Sequence, residues 1–245
     1  VEELRDVLPL YIGPIEVHSR EPELDEEREA YAAELEAMLG WRSPFVRWTL
    51  KRGMFPSRRR RFCTQELKIY TVRDVMKAEH EAGRLPVNVV GIRAAESQAR
   101  AKLPERELST ALDCMVWRPL IAWTERDVID IHSRHAVPPN PLYLRGSRRV
   151  GCWPCIHASK ADLRLLDDAR IAIIERLEAI LAGISPDVCP TFFQAPAVQA
   201  AAGPQISVRR MVEWGKTARG GRALDRQQAL PGFNDGCLRW GMCET

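Results

Sequence analysis

No apolar run in this sequence approaches the ~20 consecutive residues that a membrane-spanning helix needs, and no membrane partner is expected. Net charge is small, +3 over 245 residues, so bulk charge gives no argument for nucleic acid. No secretory signal pattern is read at the start. Without one, the seven cysteines are not expected to form a disulfide scaffold, and the expected location is cytoplasmic. No internal repeat is found, which excludes solenoid architectures. What is there is ordinary for a globular chain: 45% apolar and 28% charged residues, enough for one sizeable domain or one domain plus a tail. Val1-Glu2-Glu3-Leu4 reads as the middle of a helix, so the sequence is expected to lack its own N-terminus.

Periodicity predicts alternating strands and helices. Residues 12–17 suit a short strand. Leu24, Tyr31, Leu35 and Met38 recur at helical spacing over residues 23–39, and Gly40 is a natural stop. Residues 41–61 read as loop plus a short helix. Thr64 is expected to cap a helix to about residue 82, with Leu67, Val75 and Met76 inward. Residues 87–92 should be a buried strand, and residues 115–121 a second one interrupted by Pro119. Thr124, with Asp127 three positions on, is expected to cap a helix to about residue 135. A long amphipathic helix is predicted from Ser159 or Lys160 to about residue 182, and one more over 206–218. The alternation argues for a parallel-type α/β sheet.

The chemistry concentrates around cysteines. Cys152 and Cys155 form a C-x-x-C turn stiffened by Pro154, a spacing that aims two thiolates at one metal. A thioredoxin-like redox pair is the rival, but the turn follows a proline-rich linker rather than opening a βαβ unit. Cys237 and Cys243 offer a second close pair, and Cys63 is a further candidate. Arginines and a helix start beside Cys63 are expected to lower its thiol pKa and favour nucleophilic chemistry. Cys114 and Cys189 read as packed residues. Lys51, Arg52 and Arg58 to Arg61 precede Cys63, and Arg145, Arg148 and Arg149 precede Cys152. Such runs are most often solvated surface, yet their placement favours anion binding beside a thiol. Arg93, Glu96, Ser97 and Arg100 follow a predicted strand, where two guanidiniums suit phosphate or sulfate. Lys68 is placed to face the same anion, and Arg118 stands between Trp117 and Trp123.

In order along the chain stand Arg61-Phe-Cys63-Thr64-Gln-Glu-Leu-Lys68, Gly91-Ile-Arg93-x-x-Glu96-Ser97-x-x-Arg100, Trp117-Arg118-Pro119-Leu120-Ile-x-Trp123-Thr124-Glu-x-Asp127, Asn140-Pro141-Leu142-Tyr143 and Arg149-Val-Gly-Cys152-x-x-Cys155. This series resembles the phosphoadenosine phosphosulfate (PAPS) reductase-like family, within the adenine nucleotide alpha-hydrolase-like superfamily. The resemblance implies an α/β fold with a twisted, mainly parallel sheet flanked by helices. It divides the chain into an α/β domain at residues 1–160 and a helical and irregular C-terminal extension, with a cysteine tail, at 161–245. It implies an adenine nucleotide, ATP or PAPS, bound by Arg93, Glu96, Ser97, Arg100 and Arg118. Cys63 and Lys68 would be catalytic. Cys63, Cys152, Cys155, Cys237 and Cys243 supply the candidate metal ligands, for an iron–sulfur cluster of the 4Fe–4S type or for zinc.

Two departures stand out. The family's Ser-Gly-Gly-x-Asp-Ser phosphate loop is absent, so the chain is expected to be an N-terminally truncated piece. The cysteine tail of thioredoxin-dependent reductases is not reproduced by Cys243-Glu244-Thr245. The expected function is reductive sulfonucleotide or sulfur-transfer chemistry next to the cluster, with a reductant or sulfur-donor protein as partner. The alternatives are a zinc-stapled module binding nucleic acid through residues 51–61, and an ATP-dependent nucleic-acid thiolation enzyme.

Overall fold

The computed structural model describes residues 16–147, 150–152, 154–186, 190–193 and 207–217. Most of the predicted strand over residues 12–17 lies outside them, as do Arg148, Arg149, Cys189, Cys237 and Cys243.

Local capping chemistry sets the first two helices. The Asp25 carboxylate accepts from the Arg28 N–H and starts α1 (Glu26–Leu39), and Gly40 ends it in the left-handed region at φ 76°. The Ser43 hydroxyl accepts from the Val46 N–H and starts α2 (Pro44–Arg52), which Gly53 ends at φ 62°. Arg47 is buried between the two helices. It donates to both oxygens of Glu29 at 2.8 and 3.0 Å and to both oxygens of Glu36 at 2.8 and 3.0 Å. Leu35 and Ala32 face the core, whereas Met38, at the same helical spacing, is 45% exposed.

The next helix is continuous but not uniform. It begins as α3 (Phe62–Thr64), passes through a π segment at Gln65–Ile69, and continues as α4 (Tyr70–Glu81). Thr64 is therefore not a cap: it has helical dihedrals and makes no capping bond, because the first turn already begins at Phe62. The i→i+5 bond from the Tyr70 N–H to the Gln65 carbonyl marks the π segment.

Three strands form one sheet in the order β1-β3-β2: β1 (Val87–Val89), β2 (Arg106–Ser109) and β3 (Cys114–Trp117). β1 pairs with β3 parallel and β2 with β3 antiparallel, so the sheet among the described residues is mixed. The antiparallel pair follows from the tight turn at residues 110–113, where Asp113 takes φ 49°. β1 is shorter than predicted and not buried, with Val87 50% and Val89 56% exposed. Among the described strands it leans only on β3. β3 stops before Pro119, which has no N–H to donate to a ladder.

Thr124 and Asp127 form the expected reciprocal capping box at the start of α5 (Glu125–Arg134). A short helix α6 (Pro141–Leu144) leads towards the cysteine turn. The predicted long helix is two helices, α7 (Lys160–Arg164) and α8 (Asp168–Ile184). The break falls at Asp167, whose side chain accepts from the Arg170 N–H and starts a second helix. Ser207 caps α9 (Val208–Gly215).

The main core is helical and draws on both sides of residue 160. Ala32, Leu35, Val46 and Leu50 pack with Leu163, Ile174, Leu177, Leu181, Val208 and Met211. Phe55 and Phe192 meet edge to face at 5.2 Å. No described helix is long and apolar enough to cross a membrane.

Candidate functional site

Because β1 and β3 run parallel, their C-terminal ends lie side by side. The loop after β1 is tied there: the Val90 N–H donates to the Trp117 carbonyl at 2.9 Å and the Ala94 N–H to the Ile121 carbonyl at 2.8 Å. Arg93 and Arg118 therefore stand at the same sheet edge, the edge at which open α/β sheets bind ligands.

Glu96 organises this loop. Its carboxylate touches Arg100 and lies 3.7 Å from Arg93 Nε, while the Arg93 backbone N–H donates to it at 3.5 Å. Ser97 Oγ accepts from the Arg100 N–H at 3.2 Å and holds the next turn. Glu96 and Ser97, expected at the ligand itself, are thus engaged in holding the two arginines. Arg93 Nη1 is buried and has no hydrogen-bond partner among the described residues. A buried guanidinium N–H without an acceptor is costly unless an anion meets it.

Arg118 is 6% exposed and otherwise engaged. Nη1 donates to the Pro104 carbonyl at 2.9 Å and Nη2 meets the Glu107 carboxylate, which ties the end of β3 to β2. Only its Nε is left without an acceptor. Lys68 is exposed in the π segment, five residues after Cys63. Beside it, Glu66 is buried and accepts from Arg20 and Arg52, each at 2.8 Å. Glu66 belongs to no motif of its own; an acidic residue between Cys63 and Lys68, downstream of Arg20 and Arg52, is the one signal the sequence carries for it.

The cysteine turn acts electrostatically on a thiol some ninety residues earlier in the chain. Cys63 is half-buried on α3, close enough for Cys152 and Cys155 to influence its thiol. Burial pushes the Cys63 thiol up. The Thr64 hydroxyl and N–H pull it down, and the charges of Cys152 and Cys155 push it up again, leaving it above its ordinary value. The expected lowering is thus reversed, because Arg58 to Arg61 project into solvent while the thiol itself is desolvated. Cys152 is exposed and Cys155 half-buried, with the His157 N–H donating to Cys155 Sγ at 3.5 Å. Three thiols are soft donors, of the type that suits iron–sulfur clusters or zinc. Among the described residues no three metal-ligating side chains are already gathered around one point.

The phosphoadenosine phosphosulfate reductase domain matches residues 15–158. An uncharacterized 37.8 kDa protein in the gpa 5' region of Escherichia phage 186 is 36% identical over 219 residues, covering 82% of this chain and 64% of that protein. An adenosine 5'-phosphosulfate reductase of Allochromatium vinosum is 41% identical over 70 residues, 29% of this chain and 27% of the reductase. A protein of the same name from Deinococcus radiodurans is 43% identical over 52 residues, 21% of this chain and 19% of its own length. The chain thus spans less than two thirds of the length of each of these relatives. Cys63, Lys68, Arg93, Arg100, Arg118, Cys152 and Cys155 all fall within a match that takes in more than half of the residues, and the chain belongs to the phosphoadenosine phosphosulfate reductase domain family.

Proposed function

We propose that the chain is the nucleotide-handling part of an enzyme that binds an adenine nucleotide, ATP or a sulfonucleotide such as PAPS, for reductive or sulfur-transfer chemistry. The observation that carries this reading is the buried, unpartnered Nη1 of Arg93 at the edge of the parallel pair, with Arg100 held beside it by Glu96. A phosphate or sulfate oxygen is the acceptor that such a guanidinium lacks. Lys68 adds a mobile positive charge, as a point donor rather than a planar fork. The names of the adenosine 5'-phosphosulfate reductases support the substrate class. On this reading residues 1–160 carry the nucleotide on a twisted, mainly parallel sheet, with residues 161–245 as an extension.

Cys63, Cys152 and Cys155 would hold an iron–sulfur cluster, with Cys237 or Cys243 as fourth ligand. The electrostatic influence of Cys152 and Cys155 on the Cys63 thiol, together with the soft-donor chemistry of three thiols, supports this. When bound, such a cluster would supply one-electron redox capacity and Lewis-acidic iron. Cys63 is half-buried, and the exposed Cys152 side of the turn would stay open to a reductant or sulfur-donor protein. The cytoplasm is the compartment that keeps such thiols free.

Two measurements test the proposal. Arg93→Ala in the full-length protein is expected to weaken PAPS or ATP binding about 10- to 100-fold by calorimetry, the loss of one or two charge-assisted bonds. Unchanged binding refutes the anion site. Anaerobic purification is expected to give a brown protein with bound iron that Cys152→Ser loses; a colourless protein carrying one zinc refutes the cluster.

A further inference from the structure

Fifteen arginines among the described residues lie within 4.0 Å of a carboxylate. Arg58, Arg59, Arg60 and Arg61 are not among them, although they are consecutive and all exposed. Among the described residues most guanidiniums are neutralised by a carboxylate, and four adjacent ones without such an ion pair repel one another. That repulsion is relieved when a polyanion lies across them.

The segment is also presented on a fixed base. Phe55 is 3% exposed and packs on Phe192, and Pro56 is fully buried. The chain then turns. The Ser57 N–H donates to the Arg60 carbonyl at 3.1 Å, and the Arg60 N–H donates to Ser57 Oγ at 3.1 Å. At the far side the Arg61 carbonyl accepts from the Thr64 and Gln65 N–H groups at 2.9 and 3.1 Å, so the turn is clamped to the helix that carries Cys63. The backbone cost of ordering the loop is met before any ligand arrives. Residues 57–61 are Ser and Arg only, so the turn offers no apolar or aromatic centre of the sort that protein interfaces bury. Planar forks on a bare turn suit evenly spaced phosphodiesters.

We infer that the turn at residues 57–61 docks the phosphate backbone of a nucleic acid, without base recognition, two residues from Cys63. This goes beyond the nucleotide site and does not rest on it.

The test is fluorescence anisotropy of a labelled 20-nucleotide single strand and the matching duplex with the full chain. Three phosphates neutralised imply about 20-fold weaker binding at 200 than at 50 mM salt for the single strand, and about 40-fold for the duplex. The larger wild-type affinity identifies which form is bound. Arg58→Gln/Arg59→Gln/Arg60→Gln should lose that salt dependence. Arg58→Gln alone should reduce the log–log salt slope by about 0.7 or 0.9 respectively, a readout available even if the triple variant melts early. Three results overturn the proposal. One is no binding at 50 mM salt, or variants with the wild-type slope. Another is displacement by polyglutamate as readily as by unlabelled oligonucleotide, which assigns the turn to an acidic protein. The third is displacement by ATP at the concentration that saturates the Arg93 site, which merges the two sites.

Discussion

Glu178 is a buried carboxylate in the middle of α8, and its removal should be strongly destabilising. One oxygen accepts from the Phe192 N–H and the other from the Val208 N–H, each at 3.0 Å. Val208 is the first residue of α9, so the carboxylate satisfies one of the helix's free N–H groups and sits at the positive end of its dipole. Glu178→Ala leaves two buried N–H groups without acceptors, at about 1–3 kcal/mol each. Relief of a desolvated charge offsets part of that, and the net loss should be about 3 kcal/mol, measured by urea unfolding at neutral pH. Glu178→Gln keeps one acceptor and should lose about 1–2 kcal/mol. Burial pushes the Glu178 carboxyl above its ordinary value of 4.5, against the two N–H groups that pull it down. A raised folded value means that the group's stabilisation is full below the unfolded value and is lost as pH rises through the folded one. The wild-type advantage over Glu178→Gln should therefore shrink as pH rises from about 4. A loss below about 1 kcal/mol for Glu178→Ala would refute the assignment of these bonds.

Arg47→Met strands the partly buried Glu36 carboxylate and removes a partner of the solvent-screened Glu29, and should cost about 2–3 kcal/mol at pH 7 in the same assay. Arg47 holds both carboxyls below their ordinary value, at Glu36 against an opposing push from burial, so this stability is present above about pH 4.5 and is lost as pH falls through the lowered folded values. Arg47→Met should remove that acid-side slope. Gly215→Ala would place a methyl 2.9 Å from Leu163 Cβ and should lower stability by about 1–3 kcal/mol, despite alanine's better helix propensity. Thr124→Ala removes the acceptor for the Asp127 N–H and should cost about 1 kcal/mol, read as a lower thermal midpoint.

Features decided within one turn of chain were legible in the sequence. Gly40 ends α1 and Thr124 with Asp127 starts α5, because caps are made by residues three or four positions apart. The break between α7 and α8 was local too, but Asp167 lay inside a strong apolar period that hid it. Features decided by distant partners were not legible. β2 carries no apolar alternation strong enough to announce itself, and its antiparallel pairing follows from the turn at residues 110–113. The exposure of Val87 and Val89 depends on which strand lies next to β1, which periodicity does not encode. Thr64 has the residue type of a cap, but the chain enters the helix two residues earlier, at Phe62.

The site divides along the same line. Residue type and order were enough to bring Cys63, Arg93, Arg100, Cys152 and Cys155 forward as a set. They could not say which guanidiniums are free to meet a ligand. Arg118 and Arg93 look equivalent as arginines at strand ends, yet both terminal nitrogens of Arg118 are held, by Pro104 and Glu107, and only its inner Nε lacks an acceptor, whereas it is a terminal nitrogen of Arg93 that lacks one. The same distinction separates Arg52, paired with buried Glu66, from Arg58 to Arg61 a few residues on. Cys63 follows it as well: flanking charge argued for a lowered thiol, but the arginines face water, where their field is screened, and desolvation of the sulfur prevails. In each case the deciding quantity is what already surrounds the group, and that is fixed by residues far away in the chain.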